Sequence, residues 1–190
     1  MLSLPLQDFV TTLEDLTARD LAVPELIRWI RPEFARLVTE PDLLRPEDTV
    51  CPAGAYTQHI LHVGEAGRFC LLALAWQPGV CTPVHDHCAW GLAAVYRGHE
   101  RETRYAWCEE GHGGPKLRPT EVQLVEPGEV LTILPPSDVH RVTNPDPTPS
   151  VSLHLYGFDV RQSPTGSSVR KVYGTELLVA DAAERAAALA

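Results

Sequence analysis

The sequence predicts a mainly β domain, a sandwich or barrel, with helices at its N-terminus. Three observations carry this. At 190 residues the chain fits one domain with a short extension, because a core of this size can bury most of its apolar surface. Helical spacing of apolar residues is confined to roughly the first 40 positions. From about Tyr56, short segments rich in β-branched and aromatic residues follow one another, separated by Gly, Pro, Asn and Asp.

In the extension, Phe9, Leu13 and Leu16 recur at three to four residues, as do Leu26, Ile30, Phe34 and Leu37, so each set forms one helical stripe. Pro24 suits the first turn of the second helix, where its missing N–H would have no partner. Residues 1–50 therefore read as a helical extension packed on a barrel of residues 51–180. Within the barrel, strands are expected over 56–63, 68–76, 90–97, 101–107, 122–126, 130–134 and 151–156. Their number and spacing favour a sandwich or barrel over an alternating α/β fold. Pro145-Asp146-Pro147-Thr148-Pro149 reads as a loop between strands, and the alanine-rich tail, 181–190, as a short helix.

Composition excludes several function classes. With 25 acidic against 16 basic residues the net charge is −9, a field that repels phosphate backbones, so nucleic acid is not an expected partner. No apolar run approaches the roughly 18 residues that span a bilayer. Asp8, Glu14 and Asp15 do not fit a secretory leader or an acid-poor transit peptide. Cys51, Cys70, Cys81, Cys88 and Cys108 are odd in number and lack a C-x-x-C pair, so they read as reduced thiols rather than a disulfide framework or zinc ribbon. The expectation is a cytoplasmic protein without a membrane.

Chemistry concentrates at His85-Asp86-His87. Alternate side chains of an extended strand share a face, so two imidazoles can reach one metal. Alone, such a pair is as often a chance surface feature, but its surroundings are patterned. Gly79, five residues, His85-x-His87, three residues, Gly91, six residues and Gly98 form one segment. Gly128, six residues, Pro135-x-Ser137, two residues, His140, three residues and Asn144 form another.

These segments resemble the two motifs of the cupin superfamily. The resemblance implies a double-stranded β-helix, or jelly-roll barrel, with His140 completing a site begun by His85 and His87. Ser137 stands where a turn glycine is usual, and Gly91 stands where many cupins supply a fourth, glutamate ligand. Three neutral imidazoles leave a divalent metal its full charge and open positions for an anionic substrate. Such a site favours Fe(II), one per chain, although zinc, copper and nickel also accept imidazole.

Ser152-Leu153-His154-Leu155-Tyr156 alternates polar and apolar residues, so one face carries a hydroxyl, an imidazole and a phenol in series. Without the cupin motifs this would read as an edge strand with one face in water. The stretch resembles the Ser-His-Tyr triad of the cysteine dioxygenase family, three-histidine iron cupins lacking the glutamate. His-Asp-His-x-x-Trp-Gly at 85–91 matches its bacterial members. The resemblance covers roughly Tyr56 to Tyr156. It implies oxidation of a small thiol to a sulfinate by O2, thiol and O2 being held together at iron, with Tyr156 hydrogen-bonding to the reactants and His154 and Ser152 orienting it.

Cysteine-specific members carry an arginine after a Tyr-Thr pair, whereas this chain reads Tyr56-Thr57-Gln58-His59. Gln58 cannot form the bidentate, charge-assisted pair of an arginine. This resembles glutamine-type members acting on 3-mercaptopropionate, in which a later arginine holds the carboxylate. Arg170 is the candidate, with Arg161 the alternative and a solvated surface charge the ordinary fate of either. Gly91 also rules out the cysteine–tyrosine crosslink of some animal members. Cys88 reads as a packed thiol and Trp90 as core. The expected activity is thus 3-mercaptopropionate oxidation. Cysteine and mercaptosuccinate are alternative substrates, and a non-catalytic ligand-binding cupin is a reading the triad counts against.

Overall fold

The structure, a computed structural model, describes residues 2–109 and 114–179. The tail helix expected over 181–190 lies outside the described residues. The two N-terminal helices are α1, Leu4–Thr17, and α2, Val23–Leu37, each with proline in its first turn. Their apolar stripes are buried: Phe9, Leu13 and Leu16 on α1 and Leu26, Ile30, Phe34 and Leu37 on α2.

Among the described residues ten strands follow: β1 Tyr56–Val63, β2 Cys70–Trp76, β3 Val84–His87, β4 Gly91–Arg97, β5 Glu100–Glu109, β6 Pro115–Val125, β7 Val130–Ile133, β8 His140–Thr143, β9 Ser150–Tyr156 and β10 Val169–Tyr173. They form two five-stranded antiparallel sheets, ordered β1-β2-β9-β4-β7 and β10-β3-β8-β5-β6. This is the expected mainly β cupin barrel. The proline-rich stretch at 145–149 does join two strands, β8 and β9.

Five strands differ in extent or character from the expectation. β3, β8 and β10 are four or five residues long, too short for a periodic signal. β6 begins at Pro115 rather than 122 and contains Pro119, which it tolerates because it edges its sheet. β9 is not an edge strand: it lies at the centre of the first sheet and is buried along its whole length.

That burial explains the alternation on β9. Leu153 and Leu155, with Phe69, Leu71 of β2 and Leu92 and Ala94 of β4, meet Leu13, Ile30 and Phe34 of the helices in one core. Ser152, His154 and Tyr156 point the other way, into the barrel. There Tyr156 packs with Leu72, Leu74 and Trp76 of β2. The helices therefore seal the outside of the sheet that presents the triad.

Candidate metal centre

His85, His87 and His140 converge inside the barrel, with one nitrogen of each within 4.8 Å of the others. His85 and His87 share a face because they are two residues apart on β3. His140 sits opposite His85 in the β3–β8 ladder, which is why a residue 55 positions away completes the group. All three are almost fully buried, and their rings meet edge-on with centroids 4.7–4.9 Å apart.

Each ring has one nitrogen already committed. Nδ1 of His85 lies 2.9 Å from the Pro83 carbonyl, Nδ1 of His87 3.0 Å from Asp138 Oδ2, and Nδ1 of His140 2.8 Å from Glu102 Oε1. This leaves the three Nε2 atoms to face one another, and such Nδ1 partners fix ring orientation in metal sites. Burial, with the neighbouring imidazoles, holds His85 down to about 3 and also lowers His87, so these rings are neutral near pH 7. Oriented, buried imidazoles are the donor set a divalent transition metal requires.

The supporting carboxylates were not anticipated. Glu102 comes from β5, and its other oxygen accepts from Arg104 Nε at 2.9 Å and Gln123 Nε2 at 2.8 Å. Asp138 precedes β8 and also accepts the His87 backbone N–H at 2.9 Å. Burial is the largest influence and would raise both acids, but the hydrogen bonds and charge interactions with the histidines, and with Arg104 at Glu102, together outweigh it, and Glu102 is held down to about 2. The only sequence signal was Glu100-x-Glu102 on a strand whose inner face should be apolar.

The triad is assembled as expected. Ser152 Oγ lies 2.9 Å from His154 Nε2, and His154 Nδ1 lies 3.0 Å from the Tyr156 hydroxyl. The Tyr156 ring stacks on His87 at 5.8 Å. Burial holds His154 down to about 3 and pushes the Tyr156 phenol well above its usual range, so imidazole and phenol are both neutral. Trp76 Nε1 adds an unanticipated donor, 3.2 Å from Ser152 Oγ.

A cavity joins these groups. Gln58 lines it together with Tyr56, Trp76, Thr82, the three histidines, His154, Tyr156, Ser167 and Ser168, and with apolar Leu74, Val142 and Val169. Arg170 does not line it, which corrects the expectation. Its guanidinium pairs with Asp86, which also accepts from the Tyr173 hydroxyl at 2.8 Å. Asp86 lies between His85 and His87 on β3 and so leaves the opposite face. Arg161 is likewise engaged elsewhere, with Asp159 at 2.9 Å. Cys88 is exposed rather than packed and takes no part in the site, and Trp90 packs against the helix-side core.

The family model described as cysteine dioxygenase type I matches residues 6–163. The chain belongs to the cysteine dioxygenase type I family. Human cysteine dioxygenase type 1 is 29% identical over 153 residues, covering 80% of this chain and 73% of that protein. The mouse protein of that name is 31% identical over 103 residues, covering 53% of this chain and 50% of that protein. A solved cupin superfamily protein from Desulfitobacterium hafniense superimposes with a TM-score of 0.44 at 10% identity, covering 64% of this chain and 95% of that chain. Cysteine dioxygenase-type cupins are metal-dependent oxygenases of thiols, and in this member the metal site is the three-histidine group. The family match ends before β10, so Arg170 lies outside it.

Proposed function

We propose that the chain is a non-haem iron(II) dioxygenase that converts a small mercapto-carboxylic acid, 3-mercaptopropionate in preference to cysteine, to its sulfinate. One observation carries the reading: the three histidines, the Tyr156 hydroxyl and the Gln58 amide share one cavity, with a neutral amide where cysteine-specific members use an arginine. His85, His87 and His140 would hold the iron. When bound, iron(II) supplies open coordination positions and the redox chemistry by which O2 reacts.

The rest is done by this chain's own groups. Tyr156, kept protonated by burial, presents its hydroxyl beside the histidines, and His154 and Ser152 hold that hydroxyl in place. Leu74, Val142 and Val169 exclude water from the reacting sulfur. The substrate carboxylate is received by neutral donors, the Gln58 amide with the Ser167 and Ser168 hydroxyls. Each such bond to an ionised carboxylate contributes about 1.5–3 kcal/mol, without the second, bidentate contact an arginine would add. No acid is among the described cavity-lining residues to pair with an ammonium, which favours a mercapto-acid over zwitterionic cysteine. A cytoplasmic location is proposed from the five free thiols.

The test is anaerobic loading with iron(II), then O2, with 3-mercaptopropionate, cysteine and mercaptosuccinate in separate reactions. The expected result is about one O2 consumed per thiol, with sulfinate formed by mass spectrometry and 3-mercaptopropionate turned over fastest. Absence of sulfinate from every thiol would sink the reading, and faster turnover of cysteine would sink its substrate.

A further inference from the structure

Glu100 opens β5 with its side chain inside the barrel, 4% exposed, and one of its carboxyl oxygens has no hydrogen-bond partner among the described residues. Its neighbours are the Ser152 hydroxyl and the Trp76 indole. It therefore stands beside the Ser152 end of a hydrogen-bonded series, Ser152–His154–Tyr156, whose other end stacks on His87. A buried, half-satisfied carboxyl is costly unless it can shed its charge, and nothing in the metal centre uses it.

We propose that Glu100 is the proton reservoir of this series, accepting through it the proton that a thiol loses on entering the cavity. The inference rests on the thiol reading above. With Glu100 ionised, Ser152 donates to it, His154 Nε2–H donates to Ser152, and Tyr156 donates to His154 Nδ1, leaving a phenol lone pair toward the cavity. The S–H proton then passes to the Tyr156 oxygen. The Tyr156 proton moves to Nδ1, the Nε2 proton to Ser152, and the Ser152 proton to Glu100.

One S–H bond breaks and one Glu100 O–H bond forms. The sulfur keeps the electron pair, and each relay group ends with as many protons as it began. Afterwards every donor points toward the cavity, with the Tyr156 O–H aimed at the reactants. Trp76 Nε1 donates to Ser152 in both states, so one lone pair of that hydroxyl remains for His154 or Glu100 in turn.

Burial, together with the Glu102 charge, pushes the Glu100 carboxyl up to about 7 against the lowering effect of the nearby Ser152 hydroxyl and Trp76 indole, so both states are populated near neutrality. Glu102, two residues along β5, is committed to His140, Arg104 and Gln123. The Tyr156 phenol interacts with Glu100 from β9, and at the rim His99 pairs with Asp146 and with Glu126, which follows β6. Glu100 touches no substrate; it is a positioning residue acting through Ser152.

Two measurements on the full chain test this. In zinc-loaded, diamagnetic protein, histidine 15N NMR should show His154 switching from Nδ1–H to Nε2–H as pH rises through neutrality, and holding one tautomer in Glu100→Gln. In iron-loaded protein, kcat/KM for 3-mercaptopropionate should rise with pH through the same range. Glu100→Gln should lose about tenfold at pH 8 and converge with wild type near pH 10, where the thiol is already ionised. Ser152→Ala, which cuts the link but leaves Glu100, should show the same loss. A fixed wild-type tautomer, a switch retained in Glu100→Gln, or an unchanged pH profile in either variant would overturn the inference. If wild type oxidises no thiol, the thiol reading fails on its own, and the tautomer measurement still decides whether Glu100 governs the series.

Discussion

Gly91 and Tyr156 are cross-strand partners in the β4–β9 ladder, and the tyrosine ring fills the space a side chain at 91 would need. A Cβ there would come within 2.8 Å of Tyr156 Cδ1 and 2.9 Å of the Leu155 carbonyl oxygen. Losing a fourth ligand at 91 and gaining a phenol beside the histidines are thus one steric event. Glycine is required by close approach rather than by backbone conformation.

Gly91→Ala should therefore retain metal but displace Tyr156. The expected outcome is a fall in kcat of tenfold or more and a stability loss of about 1–3 kcal/mol from overpacking, read by oxygen uptake and thermal unfolding. Unchanged kcat would mean that the Tyr156 position is not critical.

His140→Ala removes one of three donors and leaves Oε1 of Glu102 without its partner. The variant should retain essentially no iron after gel filtration. Full occupancy by metal analysis would show that the third ligand is another residue.

Glu102→Gln and Asp138→Asn keep the shape of their side chains but weaken the bonds that orient His140 and His87. Metal affinity should fall about 10–100-fold in each, measured by chelator competition. An unchanged affinity would assign these acids to packing alone.

Gln58→Arg places a guanidinium in the cavity that Arg170 does not reach. Turnover of cysteine relative to 3-mercaptopropionate should rise about tenfold, a gain of roughly 1.4 kcal/mol from a charge-assisted pair. No change in the ratio across a substrate panel would remove Gln58 from specificity.

Burial holds His85 and His154 down to about 3, against roughly 6.5 when unfolded, so the unfolded chain binds more protons between those values. The metal-free chain loses stability as pH falls below about 6.5, by about 2 kcal/mol per histidine at pH 5. Glu100 acts in the opposite sense, because its carboxyl is raised to about 7, and between there and about 4.5 the folded state binds the extra proton. It returns about 2 kcal/mol between pH 7 and pH 5. Glu100→Gln should roughly double the acid sensitivity seen in urea unfolding at these two pH values; equal sensitivity would contradict the burial of an ionisable group there.

Much of this centre was legible because β-strands repeat every two residues. His85-x-His87 and Ser152-x-His154-x-Tyr156 each announce a face, and the glycines and Asn144 around them mark the turns. His140 required the motif, since its approach depends on a ladder formed across 55 residues. Glu102 and Asp138 were missed because their partners are distant in sequence, and an acid on a strand ordinarily signals solvent. Arg170 was misplaced for a different reason. The β3–β10 register shifts between Val169 and Lys171, so the face on which 170 emerges is set by pairing that composition does not encode.

Asp86, tied to Arg170 and Tyr173 between two ligand histidines, also acts as a register lock for the barrel. A one-residue slip of β3 against its neighbours would turn Asp86 inward and both histidines outward. That mispaired barrel would strand a charged acid in the cavity, strip the guanidinium and phenol of their acceptor, and bind no metal. Metal uptake by this protein therefore reports on the alignment of its strands as well as on the presence of its ligands, and refolded material that fails to load would be the signature of a misregistered sheet.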